Sequence, residues 1–246
     1  MRSASAWTLI VVAVVQLIPG SQSNDVASGS QQPALPAGSQ PDPKPLFLTP
    51  YIDNCSYYEA REKSKIPYAQ SFGVTAYSGY ITVNKTAKSN LFFLLSEVEG
   101  NSSDAPLLLW TQGGPGLSAF FGLFLENGPV DFIGLYPNYT PILQRRINTL
   151  QKNMSVLYLD LPVGAGFSFT EDQENGYPTN LEAIVEHVKE FLTQFMKVFS
   201  EYANRDFYLA GESYAASLQW EALLRHSVPR RSGLQRAVVI SHWNPG

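Results

Sequence analysis

The sequence has very little cysteine: among its 246 residues only Cys55 is one. A single thiol cannot form an internal disulfide, so a small fold stapled by disulfides is excluded. In a chain that carries secretory features, one odd thiol indicates a missing partner, a reactive surface group or simple burial. We expect Cys55 either to lack its partner or to be buried.

Charge is also scarce, since Asp, Glu, Lys and Arg make up 15% of the residues and the formal net charge is −4. No long lysine or arginine block occurs, which argues against a nucleic-acid partner bound through its phosphates. No metal-ligand cluster or dinucleotide fingerprint occurs either, so no metal and no cofactor are expected. Hydrophobic residues make up 44% of the chain, enough for one large domain with a buried core.

The amino terminus lacks an apolar run of membrane-spanning length. Met1 and Arg2 precede an apolar segment, residues 7–18, and then small residues, which is the pattern of a secretory signal peptide. A membrane anchor is the alternative, but a bilayer needs roughly 20 residues. We expect a signal peptide over 1–23, a flexible leader rich in Ser, Gln and Pro over 24–45, and no stable membrane anchor.

Five Asn-x-Ser/Thr sequons follow the leader, and exposed ones would accept glycans in the secretory pathway. The first has Cys55 as its middle residue and would be blocked if that thiol is used otherwise. The sequons begin at Asn54, Asn84, Asn101, Asn138 and Asn153. Together with the signal peptide they predict a glycoprotein.

Hydrophobic patterning predicts an α/β fold. Val74–Asn84 and Asn90–Val98 are β-rich runs that predict a hairpin, and 106–111 and 156–160 are unbroken apolar runs that predict strands buried on both faces. Apolar residues at helical spacing between 180 and 200 predict a long helix, with capping-box spacing at Thr179 and Glu182. This order of elements is typical of βαβ units in a mostly parallel sheet flanked by helices.

The stretch from Phe207 to Ala215 predicts the centre of the functional site. An apolar strand ends abruptly in Gly211-Glu212-Ser213-Tyr214-Ala215, which fits a sharp strand-to-helix turn that exposes a nucleophilic serine. An ordinary strand-to-helix turn is the alternative. Glycine loops also follow Trp110 and Asp160, and parallel strands would bring all three loops to one sheet edge.

Four blocks of residues, in order, resemble the signature blocks of the serine carboxypeptidases, and most of all their vitellogenic-like branch. The resemblance extends from about Pro45 to Ala215. It rests on 110–116 (Trp-Thr-Gln-Gly-Gly-Pro-Gly), 126–129 (Glu-Asn-Gly-Pro), 160–168 (Asp-Leu-Pro-Val-Gly-Ala-Gly-Phe-Ser) and 211–215. It implies an α/β-hydrolase fold and removal of C-terminal residues from peptides or proteins, in lysosomes or after secretion.

The resemblance also implies roles for individual residues. Ser213 would attack the scissile carbonyl through an acyl-enzyme, and the amides of Gly114 and Tyr214 would form the oxyanion hole. The substrate carboxylate would be bound by Trp110, Gln112, Gly113, Glu126 and Glu212. Two glutamates in contact cannot both ionise cheaply, so one would stay protonated and donate a hydrogen bond. Without the resemblance, Glu126 would be interpreted as a solvated helix residue.

Three departures from the family pattern stand out. Gln112 replaces the usual Asn, which keeps the amide, and Leu117 replaces a cysteine of the wider family. Beyond Ala215 the sequence diverges, so 46–215 corresponds to the amino-terminal part of the domain and 216–246 is a divergent tail. The fold is therefore expected to be truncated after the nucleophile turn.

No counterpart of the family's triad Asp and His follows Ser213. His187 precedes the serine and is interpreted as a surface helix residue, while His226 and His242 lie in no recognisable motif. We therefore expect a serine carboxypeptidase by descent that is inactive alone. A non-catalytic secreted module that binds peptides is the alternative; an esterase or lipase would share the turn but leave the Trp110 block unexplained. The sequence predicts no oligomeric state.

Overall fold

The computed structural model describes residues 45–114, 116–137, 141–213 and 215, together with a strand at 236–240. The predicted signal peptide and all but the last residue of the predicted leader lie outside these residues. The same holds for Asn138, Tyr214, His226 and His242.

The described residues form three α-helices, short 3₁₀ helices, one π-helical segment and nine strands. The α-helices are α1 (Thr49–Asp53), α2 (Tyr57–Ser64) and α3 (Leu181–Val198), and the π-helical segment is Gly122–Asn127. The 3₁₀ helices are Pro67–Phe72, Glu99–Asn101, Leu150–Lys152 and Ser200–Asn204. The strands are β1 (Ala76–Asn84), β2 (Ser89–Ser96), β3 (Leu107–Thr111), β4 (Val130–Leu135), β5 (Pro141–Arg145), β6 (Ser155–Leu159), β7 (Phe169–Thr170), β8 (Phe207–Glu212) and β9 (Arg236–Ile240).

Seven of the described strands form one mixed sheet in the order β1-β2-β6-β3-β8-β9, with the short β7 paired to β2. The predicted hairpin is confirmed as the antiparallel pair β1 and β2. Strands β6, β3, β8 and β9 are parallel to one another, so their carboxyl ends meet at one edge. The remaining pair, β4 and β5, forms a separate antiparallel hairpin that the sequence analysis did not predict.

Both faces of the central strands are buried, as the unbroken apolar runs predict. Every residue of β3 and β6 is buried. Helix α3 covers one face, where the ring of Phe93 on β2 lies 5.7 Å from that of Phe191 and 5.6 Å from that of Phe195. The π-helical segment and the β4–β5 hairpin cover the other face. These two layers make the sheet a rigid support for the loops at its edge.

Helix α3 begins one residue later than the capping-box spacing predicts. The N-cap is Asn180, whose Oδ1 accepts a 2.8 Å hydrogen bond from the amide of Ala183. Thr179 is therefore not the cap. Asparagine satisfies a first-turn amide as well as threonine does, so spacing alone could not choose between the two neighbours.

Cys55 is exposed, so the expectation of burial is wrong. The residue follows helix α1 in a left-handed turn with φ of 56°, and its Sγ accepts a hydrogen bond from the Tyr57 hydroxyl at 3.6 Å. The turn points the thiol outward. Within the described ranges, no helix is long and apolar enough to cross a membrane.

The predicted sequons differ in their surroundings. Asn54 and Asn153 are exposed, whereas Asn84 is half-buried and its Oδ1 accepts hydrogen bonds from the amides of Thr86 and Ala87. Asn54 and Asn153 thus have the side-chain exposure that a glycan acceptor requires. Asn101 ends a short 3₁₀ helix.

Strand β9 lies within the tail that diverges from the family pattern. Arg236–Ile240 pairs in parallel with Tyr208–Glu212 of β8. The run Ala-Val-Val-Ile is rich in β-branched residues, which explains a strand here. The sheet therefore continues past the nucleophile turn, where the sequence analysis expects it to stop.

Candidate active site

The predicted nucleophile stands at the end of β8 in a left-handed backbone conformation. Ser213 has φ of 56° and an exposed side chain. A non-glycine residue held in this region is strained, and such strain is typical of the sharp turn that exposes a nucleophilic serine. The geometry therefore agrees with the predicted turn, and Tyr214, the next residue, lies outside the described residues.

The glycine loops predicted to meet at one sheet edge do so. Trp110 is paired with Ala210 on one side and with Tyr158 on the other, so β3, β8 and β6 end together. The loop after β3 contains Gly113 and Gly114, and the positive φ of 115° at Gly114 favours glycine. Its backbone amides thus lie beside the end of the strand that carries Ser213.

A chain of hydrogen bonds joins the four side chains predicted to bind a substrate carboxylate. The indole Nε1 of Trp110 donates to Oε1 of Gln112 at 3.0 Å. This bond turns the amide NH₂ of Gln112 toward Glu212, whose Oε2 accepts from it. Glu126 in turn hydrogen-bonds with Glu212 and Gln112. Residues up to 100 positions apart in sequence thereby form one polar cluster.

Glu126 is half-buried, unlike the solvated helix residue that would be expected without the family resemblance. Burial, followed by the charge of Glu212 and the hydrogen bond to it, raises the pKa of Glu126 to about 7, against the opposing effect of Arg146. Below that pH the carboxyl keeps its proton and can donate it in a hydrogen bond. The pair therefore has one donor available at acid pH and loses it as the pH rises.

The π-helical segment that carries Glu126 approaches the cluster closely at Gly122. A Cβ atom at this position would lie only 2.4 Å from Nε1 of Trp110 and 3.2 Å from Oε1 of Gln112. No flexible side-chain end could move aside, because the indole is itself buried. Glycine is therefore required for the Trp110–Gln112 bond to form beside this segment.

We expect Gly122→Ala to lower the free energy of unfolding by about 1–2 kcal/mol, because overpacking costs 1–3 kcal/mol and the gain in helix propensity offsets up to about 1 kcal/mol. The indole N–H resonance of Trp110 should shift as its bond to Gln112 breaks. Urea unfolding and nuclear magnetic resonance (NMR) spectroscopy measure the two effects. Leu125→Ala, which changes an exposed residue of the same segment, is the matched control and should leave the indole resonance in place.

Asp160 links two of the loops behind the site. Its Oδ1 accepts from the Ser118 hydroxyl at 2.8 Å and the Ala119 amide at 2.7 Å, and its Oδ2 accepts from the Phe167 amide at 2.7 Å. The side chain is fully buried, and burial raises its pKa to about 6 although these hydrogen bonds oppose the rise. Asp160 thus holds the loop after β6 against the segment that follows the glycines after β3.

Among the described residues, no base contacts the serine. Ser213 makes no side-chain hydrogen bond with any of them, and His187 lies on α3. The interpretation of His187 as a surface residue is only half right: it is half-buried, its Nδ1 lacks a hydrogen-bond partner within the described ranges, and burial lowers its pKa. The described residues thus contain the nucleophile turn and the polar cluster.

Sequence reasoning missed three residues that shape this site: Gly122, Arg146 and Asp160. Arg146 forms an ion pair with Asp131 and lies close enough to Glu126 to influence its charge. Asp160 had a usable signal, since an acidic residue directly after a buried strand requires partners for its charge. Gly122 and Arg146 act through contacts that no local pattern reveals.

Comparisons with known proteins place these residues in a family context. The family model described as serine carboxypeptidase matches residues 67–218. A probable serine carboxypeptidase of Homo sapiens, CPVL, is 40% identical over 206 residues, which are 84% of this chain and 42% of that protein. A venom serine carboxypeptidase of Apis mellifera is 46% identical over 170 residues, 69% of this chain and 35% of that protein.

Among solved structures, a prohormone-processing carboxypeptidase from Saccharomyces cerevisiae matches with a TM-score of 0.57 and 24% identity, over 68% of this chain and 38% of that one. The predicted α/β-hydrolase fold is confirmed. This chain spans well under half the length of the curated relatives it matches.

Proposed function

Because the chain belongs to the serine carboxypeptidase family, we propose that it binds the free C-terminal carboxylate of a peptide and presents Ser213 to the last peptide bond. The observation that supports this proposal most is the hydrogen-bonded cluster of Trp110, Gln112, Glu212 and Glu126 beside the turn that exposes the serine. A protonated glutamate and an amide NH₂ are both donors, which is what a carboxylate ligand needs.

The proposed reaction is acyl transfer through the serine. The Oγ of Ser213 forms a bond to the carbonyl carbon of the last peptide bond, the C–N bond breaks, and the leaving amino acid takes up a proton at its nitrogen. Water then cleaves the serine ester and releases the shortened peptide. The amides of Gly114 and Tyr214 would stabilise the oxyanion, and a general base would move the proton.

The proposed setting is the secretory pathway, as a glycoprotein that is secreted or lysosomal. Supporting it are the signal-like amino terminus and the exposed sequon residues Asn54 and Asn153. A relative named as a venom enzyme fits the same setting. An acidic compartment would also match the carboxyl pair, since the proton that makes Glu126 a donor is retained below about pH 7.

The test is peptide binding as a function of pH. A fluorescent peptide with a free C-terminus should bind the chain about tenfold more tightly at pH 5 than at pH 8, because a hydrogen bond to a charged group contributes about 1.5–3 kcal/mol. In Glu126→Gln this dependence should flatten, since a glutamine amide donates at either pH. Fluorescence anisotropy measures both affinities.

The control peptide carries a C-terminal amide and should bind weakly at both pH values. Glu174→Gln, which changes an exposed loop glutamate, is the control variant and should keep the pH dependence of the unmodified chain. Equal binding of the acid and amide peptides at pH 5 would overturn the proposed recognition of the carboxylate.

A further inference from the structure

The π-helical segment that carries Glu126 borders an apolar cavity on its inner side. Leu123 and Phe124 line an apolar cavity of about 80 Å³ between this segment and strands β1 and β2. Atoms that face a void lose the contacts that would otherwise fix their position. Polar contacts therefore add to the hydrophobic packing that holds the segment against the sheet.

Arg146 supplies one of these polar contacts. Its Nη2 donates to the backbone carbonyl of Phe124 at 3.1 Å and forms an ion pair with Asp131 on β4. The side chain of Arg146 is only 11% exposed, so water screens this pair less than it screens a surface pair. One guanidinium thus connects the middle of the segment to the hairpin beside it.

The same guanidinium faces the carboxyl cluster. Arg146 interacts electrostatically with Glu126 and with the buried hydroxyl of Tyr158, while Glu212 faces Glu126 from β8. The second nitrogen, Nη1, is buried and has no hydrogen-bond partner within the described ranges. Maintaining a buried, incompletely paired cation is costly, so packing does not explain its presence.

We propose that Arg146 is a positioning residue for Glu126, which ties the segment carrying this carboxyl to β4 and places a positive charge beside it. The charge opposes burial and the negative charge of Glu212, both of which favour the protonated form of Glu126. Arg146 thereby sets the pH at which the cluster stops donating a hydrogen bond. Its importance for peptide binding rests on the function proposed above.

The experiment measures the pKa of Glu126 directly in the whole chain, by NMR of ¹³C-labelled glutamate carboxyls assigned with Glu126→Gln. In Arg146→Gln the pKa of Glu126 should rise by about one unit, the lower end of the effect of removing a nearby opposite charge. Amide hydrogen exchange across residues 122–127 should accelerate as well, because the bond to Phe124 is lost.

Two further variants separate charge from attachment. Arg146→Lys keeps the charge, so the pKa should stay nearly unchanged while exchange across 122–127 still accelerates. The control is Arg145→Gln, which removes a neighbouring guanidinium that donates to Glu99 and to the Pro129 carbonyl. This variant should change neither the pKa of Glu126 nor the exchange across 122–127. If Arg146→Gln does not fold, amide hydrogen exchange across 122–127 in Arg146→Lys still shows whether the guanidinium ties the segment to β4.

Two results would overturn the inference: an unchanged pKa and unchanged exchange in Arg146→Gln, or equal effects from Arg145→Gln. Because the readout is spectroscopic, it does not depend on peptide binding. A raised pKa in a chain that binds no peptide would keep the positioning role and remove the proposed function. Peptide binding with both the pKa of Glu126 and the exchange unaltered in Arg146→Gln would keep the proposed function and remove the positioning role.

Discussion

A fluorophosphonate probe, which reacts with activated serines, is expected to label Ser213 in this chain about 10³-fold or more slowly than the nucleophile of a serine carboxypeptidase whose serine contacts a histidine base. The turn exposes the hydroxyl, but none of the described residues hydrogen-bonds to it as a base. A serine hydroxyl without a base is a weak nucleophile, and the oxyanion hole alone retains only a small part of the acceleration. Labelling rates measured by mass spectrometry give the comparison.

Ser213→Ala should remove the residual labelling entirely. The matched control is Ser71→Ala, which deletes an exposed hydroxyl that donates to the Tyr68 carbonyl. In this variant Ser213 should be labelled at the same rate as in the unmodified chain. Rapid labelling of Ser213 would contradict the expectation and mean that a base comes from outside the described residues. His226→Ala and His242→Ala would then test the two histidines that follow the serine.

The sheet and its long helix could be predicted from sequence because their burial repeats along the chain. The unbroken apolar runs at β3 and β6, the two β-rich runs of the hairpin and the helical spacing in α3 each reflect the faces that those elements bury. The β4–β5 hairpin escaped prediction because β4 is mostly half-buried without clear alternation and β5 has only five residues.

The candidate site was predictable only in part. That the loops after β3 and β8 share an edge follows from parallel pairing, and it brings Gln112 to Glu212. The grouping of Glu126 with them came from the family resemblance, since a lone glutamate in an apolar segment carries no local signal. The link from Asp160 to Ala119 spans 41 residues, and such contacts depend on how the loops pack rather than on any periodicity.

Asp160→Ala is expected to lower the free energy of unfolding by about 3 kcal/mol. The substitution leaves the buried amide of Ala119 and the partly buried amide of Phe167 without acceptors, and an unsatisfied buried group costs about 1–3 kcal/mol. Relief from burying the carboxyl offsets part of this loss. Urea unfolding at pH 5 measures the difference, and Asp172→Ala, which changes a half-buried loop aspartate whose hydrogen bonds are exposed, should have a much smaller effect.

The pH dependence of stability distinguishes the charge of Asp160 from its hydrogen bonds. Because burial raises its pKa from 3.8 to about 6 in the folded chain, the folded state holds this proton more tightly than the unfolded state does. The contribution of Asp160 to the free energy of unfolding is therefore fully present below about pH 4. It is lost as the pH rises through about 6, which lowers the free energy of unfolding by about 3 kcal/mol. Asp160→Asn should flatten that part of the curve between pH 4 and pH 7.

The opposite sign is expected at Asp172, whose pKa is lowered by hydrogen bonds from the Asn175 backbone and side chain. Its contribution is present above the ordinary aspartate pKa and is lost as the pH falls, so Asp172→Asn should flatten the acid end of the curve instead. If Asp160→Asn and Asp172→Asn changed the pH dependence of the free energy of unfolding in the same direction, the assignment of the raised pKa to Asp160 would be contradicted. If the signs differ as expected, the loops beside Ser213 are held together best in acid, where Glu126 also keeps its proton.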